Sequence, residues 1–480
     1  MKTTMTMLKL FLFALLYCVT FQTTWVAIFT SSHDILDGGY RHQADAYRFT
    51  QLLLDSGVPR EHIWHMNPDT AANDPQNPIQ THLFTEPNCD AWDVIYNDDD
   101  DIDDCVGVDY TNTTVSNFKK MIGLRNMTTN FPLDIDLREN DTIIIYIVGH
   151  GDTGTIACNG EYIFYDDIVA GLDKLLFSHH YLHIYLFVDT CKAGSLFNHT
   201  SFSQYVDLHA HNLTVMHDIN VLTAANATQM SFAINCNQQV LKKYPTTFCL
   251  TDEFSKHLMD FIQDATTSNT MLDLIEATQL NTFQSSVTLY GRWQENALNR
   301  TVKDVFETDD YLRSIDSEDP IYESCNAQNR RLRGNKRQPT TQETEQRRKR
   351  NQRIREYIKK HPNDVKKLTM DEYERLNNLE FLSKIFNDTE GIAYSRMYNE
   401  EKERIRKIKA WEKIVKKKYP MSYDENTPIE EWGCFRRMVT AFDKKFGHSR
   451  FGMSRFHYFA SLCNTNKTIY KSFWKTIGKP

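Results

Sequence analysis

The sequence predicts an α/β domain built on a mostly parallel sheet flanked by helices, followed by a separate all-helical domain. Two observations predict the first. Short, wholly apolar, β-branched runs recur along the chain, and helix-length amphipathic stretches lie between them, as in sheets covered on both faces. A third observation predicts the second domain: after residue 350 the composition turns to Lys, Arg, Glu and Leu with few helix breakers. The chain has 480 residues, room for two or three domains at the usual ~150 residues each. Its 41% hydrophobic and 25% charged residues, with 18 Gly and 13 Pro, exclude collagen, a disordered chain and a multi-span membrane protein.

Taken in order, the first 21 residues place Lys2 and Lys9 before the apolar run 10–19. That run is short for a bilayer and shaped like the core of a secretory signal, so residues 1–21 are expected to be cleaved and no stable membrane insertion is expected. Trp25 to Phe29 predicts the first strand, and Ala44 to Ser56 a helix with Ala46, Phe49, Leu52 and Leu53 on one face and Gly57 ending it. Ile143 to Val148 is the most strand-like segment; His183 to Val188 follows a helical stretch from Asp166 to Phe177, and Ile219 to Thr223 is a fourth strand. Residues 318–350 lose apolar periodicity and carry the basic clusters Arg330-Arg331 and Arg347 to Arg350, an exposed, cleavable linker. Residues 351–418 and 430–477 return to helical spacing. The expected organisation is signal 1–21, α/β domain 22–317, linker 318–350 and helical domain 351–480.

The net charge of −8 is unevenly spread. Residues 330–480 hold 37 Lys+Arg against 19 Asp+Glu, a net of +18, leaving 18 against 44, a net of −26, for residues 1–329. The two parts attract. Nine Asn-x-Ser/Thr sites, at Asn112, Asn126, Asn140, Asn198, Asn212, Asn226, Asn299, Asn387 and Asn466, agree with a secretory route. Ten cysteines include Cys18 in the signal, so an odd nine remain in an oxidising compartment and at least one thiol stays free. No Cys/His set has zinc spacing, and the acidic run Asp98 to Asp104 lacks the Gly and Glu of a calcium loop, so neither a metal nor another cofactor is expected.

In a parallel sheet, residues just past the carboxyl ends of strands line the ligand crevice. Cys191 follows the strand ending at Val188-Asp189, and His150 follows the strand ending at Val148. An imidazole beside a thiol makes it a nucleophile and later protonates the leaving group. The amides of Gly151 and Cys191 are natural donors to an oxyanion. The class of chemistry is acyl transfer. His42, His65, His82 and the His179, His180, His183 group lack such placement, and most of them read as surface or core residues.

These residues resemble a family. His150-Gly151 and Asp189-Thr190-Cys191 behind strands are similar to the caspase-related cysteine peptidases of clan CD. Gly39 to Ala46, Thr223 to Asn226, Val106 to Tyr110 and Ser286 to Gly291 resemble legumain, the asparaginyl endopeptidase, and Cys434, Phe442 and Leu462-Cys463 resemble its death-domain-like C-terminal prodomain. The resemblance implies a caspase-like fold, Cys191 as nucleophile and His150 as base. It also implies a pocket in which Arg41 faces the amide oxygen of a substrate Asn and Asp189 and Asp252 accept from its nitrogen, with His42 and Ser231 completing the wall. Such a pocket supplies both donors and acceptors to a primary amide, and an Asp substrate fits it only when protonated. The resemblance further implies disulfides Cys236–Cys249 and Cys434–Cys463, with Cys89–Cys105 closing the acidic loop, Cys158 and Cys325 unassigned and Cys191 the free thiol.

Two positions depart from the family. Gly39 stands where legumains have an Asn that orients the histidine, so a backbone carbonyl or water replaces it, or activity is reduced. Asp189 stands where legumains commonly have Glu, and Asp-Thr-Cys resembles the catalytic subunit of the glycosylphosphatidylinositol transamidase, the alternative enzyme; a pseudoenzyme on the same scaffold is the non-catalytic alternative. The expected protein is a lysosomal, vacuolar or secreted endopeptidase acting on peptides after Asn, with transpeptidation open to it. Its basic tail caps the cleft as an inhibitor released by acid, rather than binding nucleic acid. Asn326, Asn329 and Asn335 are candidate self-cleavage points, and the basic clusters candidate sites for another protease.

Overall fold

The computed structural model describes most of residues 23–307 and 349–477. Residues 1–22, 94–112, 125–136, 308–348 and 362–372, with some shorter stretches, lie outside the description. The signal segment, the acidic run, Cys89, Cys105, Cys325 and nearly all of the linker fall there.

Six strands form the central sheet: β1 (Thr24–Phe29), β2 (Ile63–Met66), β3 (Thr142–Val148), β4 (Tyr181–Asp189), β5 (Met216–Thr223) and β6 (Thr288–Gly291), in the order β6-β5-β4-β3-β1-β2. All neighbours are parallel except the β5–β6 pair at one edge. The predicted strands are present, each longer by a residue or a few. Alternate residues of one strand belong to two different cores, which is why the runs are apolar throughout. Ile143, Ile145 and Ile147 face helices α2 (Val115–Ile122) and α3 (Tyr165–Leu176), while Ile144, Tyr146 and Val148 face α1 (Gly39–Asp55), α5 (Glu253–Asp264) and α6 (Met271–Asn281). Helix α4 (Thr200–Ala210) lies between β4 and β5 in sequence and completes the first layer.

Helix α1 begins at Gly39, five residues before the Ala44 that the apolar spacing marks. Its first turn is polar yet buried: Arg41 is 7% exposed, His42 2% and Gln43 0%. Hydrophobic periodicity cannot find such a turn, because its burial serves contacts rather than apolar packing.

The C-terminal part is helical, with α7 (Glu374–Ile385), α8 (Thr389–Lys418), α9 (Trp432–Phe446), α10 (His457–Thr465) and α11 (Tyr470–Ile477). Helix α9 packs on the sheet's first helical layer. Trp432 lies tilted 5.4 Å from Tyr165, Phe435 lies edge-on at 6.2 Å from Phe164, and Arg436 bonds Asp167 at 2.5 Å. One apolar core therefore runs from β3 to α10. A disulfide ties Cys434 of α9 to Cys463 of α10, and another joins Cys236 to Cys249. Cys158 and Cys191 are free thiols, and both are buried. Among the described residues no helix is long and apolar enough to cross a membrane.

Candidate active site

Strands β3 and β4 are adjacent and parallel, with Val148 opposite Asp189, and the Gly149 N–H donates to the Asp189 carbonyl at 3.1 Å. His150 and Cys191 therefore leave the sheet side by side. Gly151 shows how close the two loops run: a Cβ there would sit 2.6 Å from Thr190 Oγ1 and 2.8 Å from the Cys191 carbonyl. The Cys191 thiol points toward the Ser231 carbonyl at 3.5 Å.

His150 Nε2 is bonded to the backbone carbonyl of Asp37, in the single 3-10 turn Ile35–Asp37. A backbone carbonyl thus meets this histidine in a chain whose residue 39 has no side chain. The turn is capped by Asp34, whose side chain accepts from Leu36 N at 2.9 Å. At Gly39 a Cβ would meet the carbonyl oxygens of Asp34 at 2.8 Å and Ser32 at 2.9 Å, so no side chain enters without moving the turn that holds the histidine. Gly39→Ala is expected to destabilise the fold by ~1–3 kcal/mol through overpacking, read as a fall in melting temperature. An unchanged melting temperature would mean that the turn yields freely.

Arg41 and His42 lie against Asp252, and Ser231 lies against Asp189. Arg41 Nε donates to Asp252 Oδ1 at 2.7 Å. The other oxygen, Asp252 Oδ2, is buried and accepts no hydrogen bond, and lies 3.4 Å from His42 Nε2. His42 Nδ1 pairs with Ser32 Oγ at 2.7 Å, and its ring meets that of His150 edge-on at 4.6 Å. Asp189 is turned to protein donors: Ser231 Oγ at 2.7 Å on one oxygen, Ser255 Oγ at 2.5 Å and Ser255 N at 3.2 Å on the other. It orients Ser231 and spends most of its accepting capacity inside the protein.

Sequence reasoning missed Asp45, Glu374 and the tail residues around Glu374. Asp45, one turn beyond Arg41 on α1, accepts from Asp252 N at 2.9 Å and Thr251 Oγ1 at 2.5 Å and so fixes the pocket aspartate from behind. Its i+4 spacing from Arg41 was the available signal. Glu374, at the start of α7, reaches Arg41 Nη1 at 3.5 Å and accepts from Arg450 Nη1 at 3.0 Å, with only 3% of its surface exposed. No local pattern marks it. Around it Arg375 pairs with Asp34, and Asn378 Nδ2 donates to the Leu36 carbonyl at 3.1 Å. The tail thus grips the very turn that orients His150.

A cavity of about 160 Å³ beside His150 is lined from both parts of the chain, by Ser32, His33, Asp37 and Asn159 on one side and His448 and Arg450 on the other. Burial lowers the proton affinity of His150 and His42 well below the ordinary histidine value, and Arg450 and Arg41 add to it. Burial also pushes the Asp37 carboxyl up to about 7, against the pull of Arg450 and Arg375. Asp252 and Asp45 are raised chiefly by burial, and each repels the other's charge or that of Asp189. Among the described residues no His/Cys/Asp/Glu group is arranged to hold a metal ion.

Fold and site together define an α/β protein with a thiol and an imidazole at the carboxyl edge of a parallel sheet, beside a buried donor–acceptor pocket. The chain belongs to the Peptidase C13 family, whose model matches residues 24–308. It is 28% identical over 262 residues to the vacuolar-processing enzyme beta-isozyme of Arabidopsis thaliana, covering 53% of this chain and 48% of that one. The chain thus spans about half the length of that relative. It is 24% identical over 467 residues to the vacuolar-processing enzyme beta-isozyme 1 of Oryza sativa subsp. indica, covering 95% of this chain and 84% of the relative. Legumain of Bos taurus is 26% identical over 284 residues, covering 57% of this chain and 58% of that one. Among solved structures, caspase-1 of Spodoptera frugiperda aligns with a TM-score of 0.32 and 12% identity over 58% of this chain and 88% of that one.

Proposed function

We propose that the protein is a cysteine endopeptidase that cleaves after Asn, and after Asp at acid pH, and is made as a zymogen for an acidic lysosome- or vacuole-like compartment or for secretion. The observation that carries the Asn preference is the pair at the base of the pocket. Arg41 offers guanidinium donors, and Asp252 keeps one buried oxygen without a hydrogen bond. A carboxamide satisfies both, its oxygen on Arg41 and its N–H on Asp252 Oδ2. An ionised Asp side chain instead faces Asp252, so it is accepted only with a proton.

In the reaction His150 takes the Cys191 proton, and the thiolate adds to the scissile carbonyl. The oxyanion is held by the amides of Gly151 and Cys191. Collapse breaks the C–N bond, the amine leaves with the proton from His150, and a thioester remains. Water deprotonated by His150 adds next, releasing the acid and restoring the thiol. An amine in place of water gives transpeptidation.

The helical segment 351–480 acts as an inhibitory prodomain, joined by the activation linker 318–350. Glu374 supports this, since it occupies the face of Arg41 that a substrate amide would take, and α9 covers the loop after His150. The test is turnover of fluorogenic peptides differing only in Asn, Asp or Ala before the reporter, after acid treatment, beside Cys191→Ala. Asn-selective turnover lost by at least about 10³-fold in the variant is expected. Linker processing with no turnover would instead point to a transamidase-type acceptor, and a Cys191 that no thiol probe labels would point to a pseudoenzyme.

A further inference from the structure

We propose that Asp152 and Lys192 are a positioning pair that locks the loop of the base to the loop of the nucleophile. The inference rests on the reading of Cys191 and His150 as the reacting pair. Lys192 directly follows Cys191, and Asp152 lies two residues after His150. The Lys192 ammonium lies 2.9 Å from Asp152 Oδ1, and the two side chains are only 5% and 4% exposed. The same oxygen accepts from Thr153 N at 2.7 Å and Thr153 Oγ1 at 3.2 Å, so the carboxylate is fixed within its own loop.

Lys192 is fixed as firmly. Its backbone is left-handed at φ 51°, a conformation that a residue with a side chain adopts only when its surroundings impose it. Its N–H donates to the Gln229 carbonyl at 2.7 Å. Its carbonyl accepts from Ser195 Oγ at 2.6 Å, and Ser195 Oγ in turn accepts from Gly154 N at 2.7 Å. Two independent links, one ionic and one through a serine, therefore join residues 152–154 to residues 192–195. Directly before these segments, one in each loop, come His150-Gly151 and Cys191, the imidazole, the oxyanion donor and the thiol.

A buried ion pair is a poor device for stability, since apolar residues of the same size serve as well or better. It is a good device for geometry, because its directional contacts allow one arrangement of the loops. Misplacing reacting groups by ~1 Å costs about 10² in rate. Neither side chain acts on the substrate; both act through the backbone of the two loops.

The test compares Lys192→Met, Asp152→Asn and the double variant with wild type, as full-length chain after acid activation. Melting temperature, kcat and KM on the Asn peptide, and the rate of Cys191 alkylation by iodoacetamide across pH are measured. Each single variant strands a buried charge, so melting temperature and kcat both fall. The double variant removes both charges: its melting temperature is expected to return to within about 2 °C of wild type, while kcat stays about 10²-fold down with KM changed less than about threefold. Its alkylation is expected to slow at least about tenfold at neutral pH, because a misaligned imidazole no longer promotes the thiolate. A double variant that recovers kcat and alkylation together with stability would make the pair merely structural and overturn the proposal. If wild type turned over no peptide, the peptidase reading would fail separately. Alkylation would still decide the pair: slower in the double variant supports it, unchanged sinks it.

Discussion

Glu374→Ala is expected to turn over an Asn peptide at neutral pH without acid treatment, while the wild-type chain stays silent until acidified. Glu374 is the anion between two guanidiniums, Arg41 from the α/β part and Arg450 from the tail. Without it Arg41 keeps Asp252, but Arg450 loses this buried partner and faces Arg41 across a gap. Breaking one side of a buried ion pair costs about 3–5 kcal/mol, enough to raise the opened population by about 10²–10³. Glu374→Gln keeps the shape and loses only the charge, so it falls between.

Three buried groups shape the pH dependence of closure. His42 and His150 have lowered proton affinity in the closed form. Below ~6.5, the ordinary histidine value, the unfolded or opened chain takes protons that the closed one refuses, so closure weakens as pH falls. Asp37 works with the opposite sign. Its affinity is raised to about 7, so it strengthens closure as pH falls from about 7 toward the ordinary carboxylate range. Opening is therefore expected only where the histidine contribution outweighs that of Asp37. A Glu374→Ala chain that remains silent at neutral pH yet gains activity with acid would show that the cap is held elsewhere, for example by the Trp432 and Phe435 packing.

The strands and the placement of His150 and Cys191 were legible because a strand buried on both faces writes an unbroken apolar run, and the residue after such a run must surface at the crevice. The contact between the two parts was legible only as a sum. Opposite net charges announce attraction between the two parts, but nothing local singles out Glu374, which finds Arg41 across 333 residues. Asp45 was hidden differently. An acidic residue on a helix reads as solvated surface, yet here it is 0% exposed and serves the Asp252 backbone. Which group meets His150 in place of the family Asn could be narrowed from the sequence to a carbonyl or water but not assigned to a residue. A carbonyl carries no side-chain identity, and only the folded turn at Ile35–Asp37 shows that it is Asp37 whose oxygen meets His150. Polar contacts between distant segments are what a one-dimensional pattern leaves out.

Arg41→Lys is expected to lower kcat/KM for the Asn peptide by about 10²-fold or more, chiefly through KM, in acid-activated protein. A guanidinium is a planar fork that donates to Asp252 from Nε while Nη1 reaches the Gly38 carbonyl at 3.2 Å and Glu374 at 3.5 Å; an ammonium is a point charge that cannot hold all these directions. Arg41→Ala goes further, since it strands the buried Asp252 as well, and a site built to bond a polar group loses about 10⁴-fold or more when its partner is wrong. The discriminating readout is the substrate series, because a general loss of fold lowers Asn, Asp and Ala peptides alike. If Arg41 reads the carboxamide, the Asn peptide falls toward the Ala peptide, whose own rate moves little. The thiol chemistry then survives with its selectivity erased, and iodoacetamide still labels Cys191. Equal losses on all three peptides in a folded Arg41→Lys protein would place the specificity outside this pocket and leave Arg41 as a partner of Asp252 and Glu374 alone.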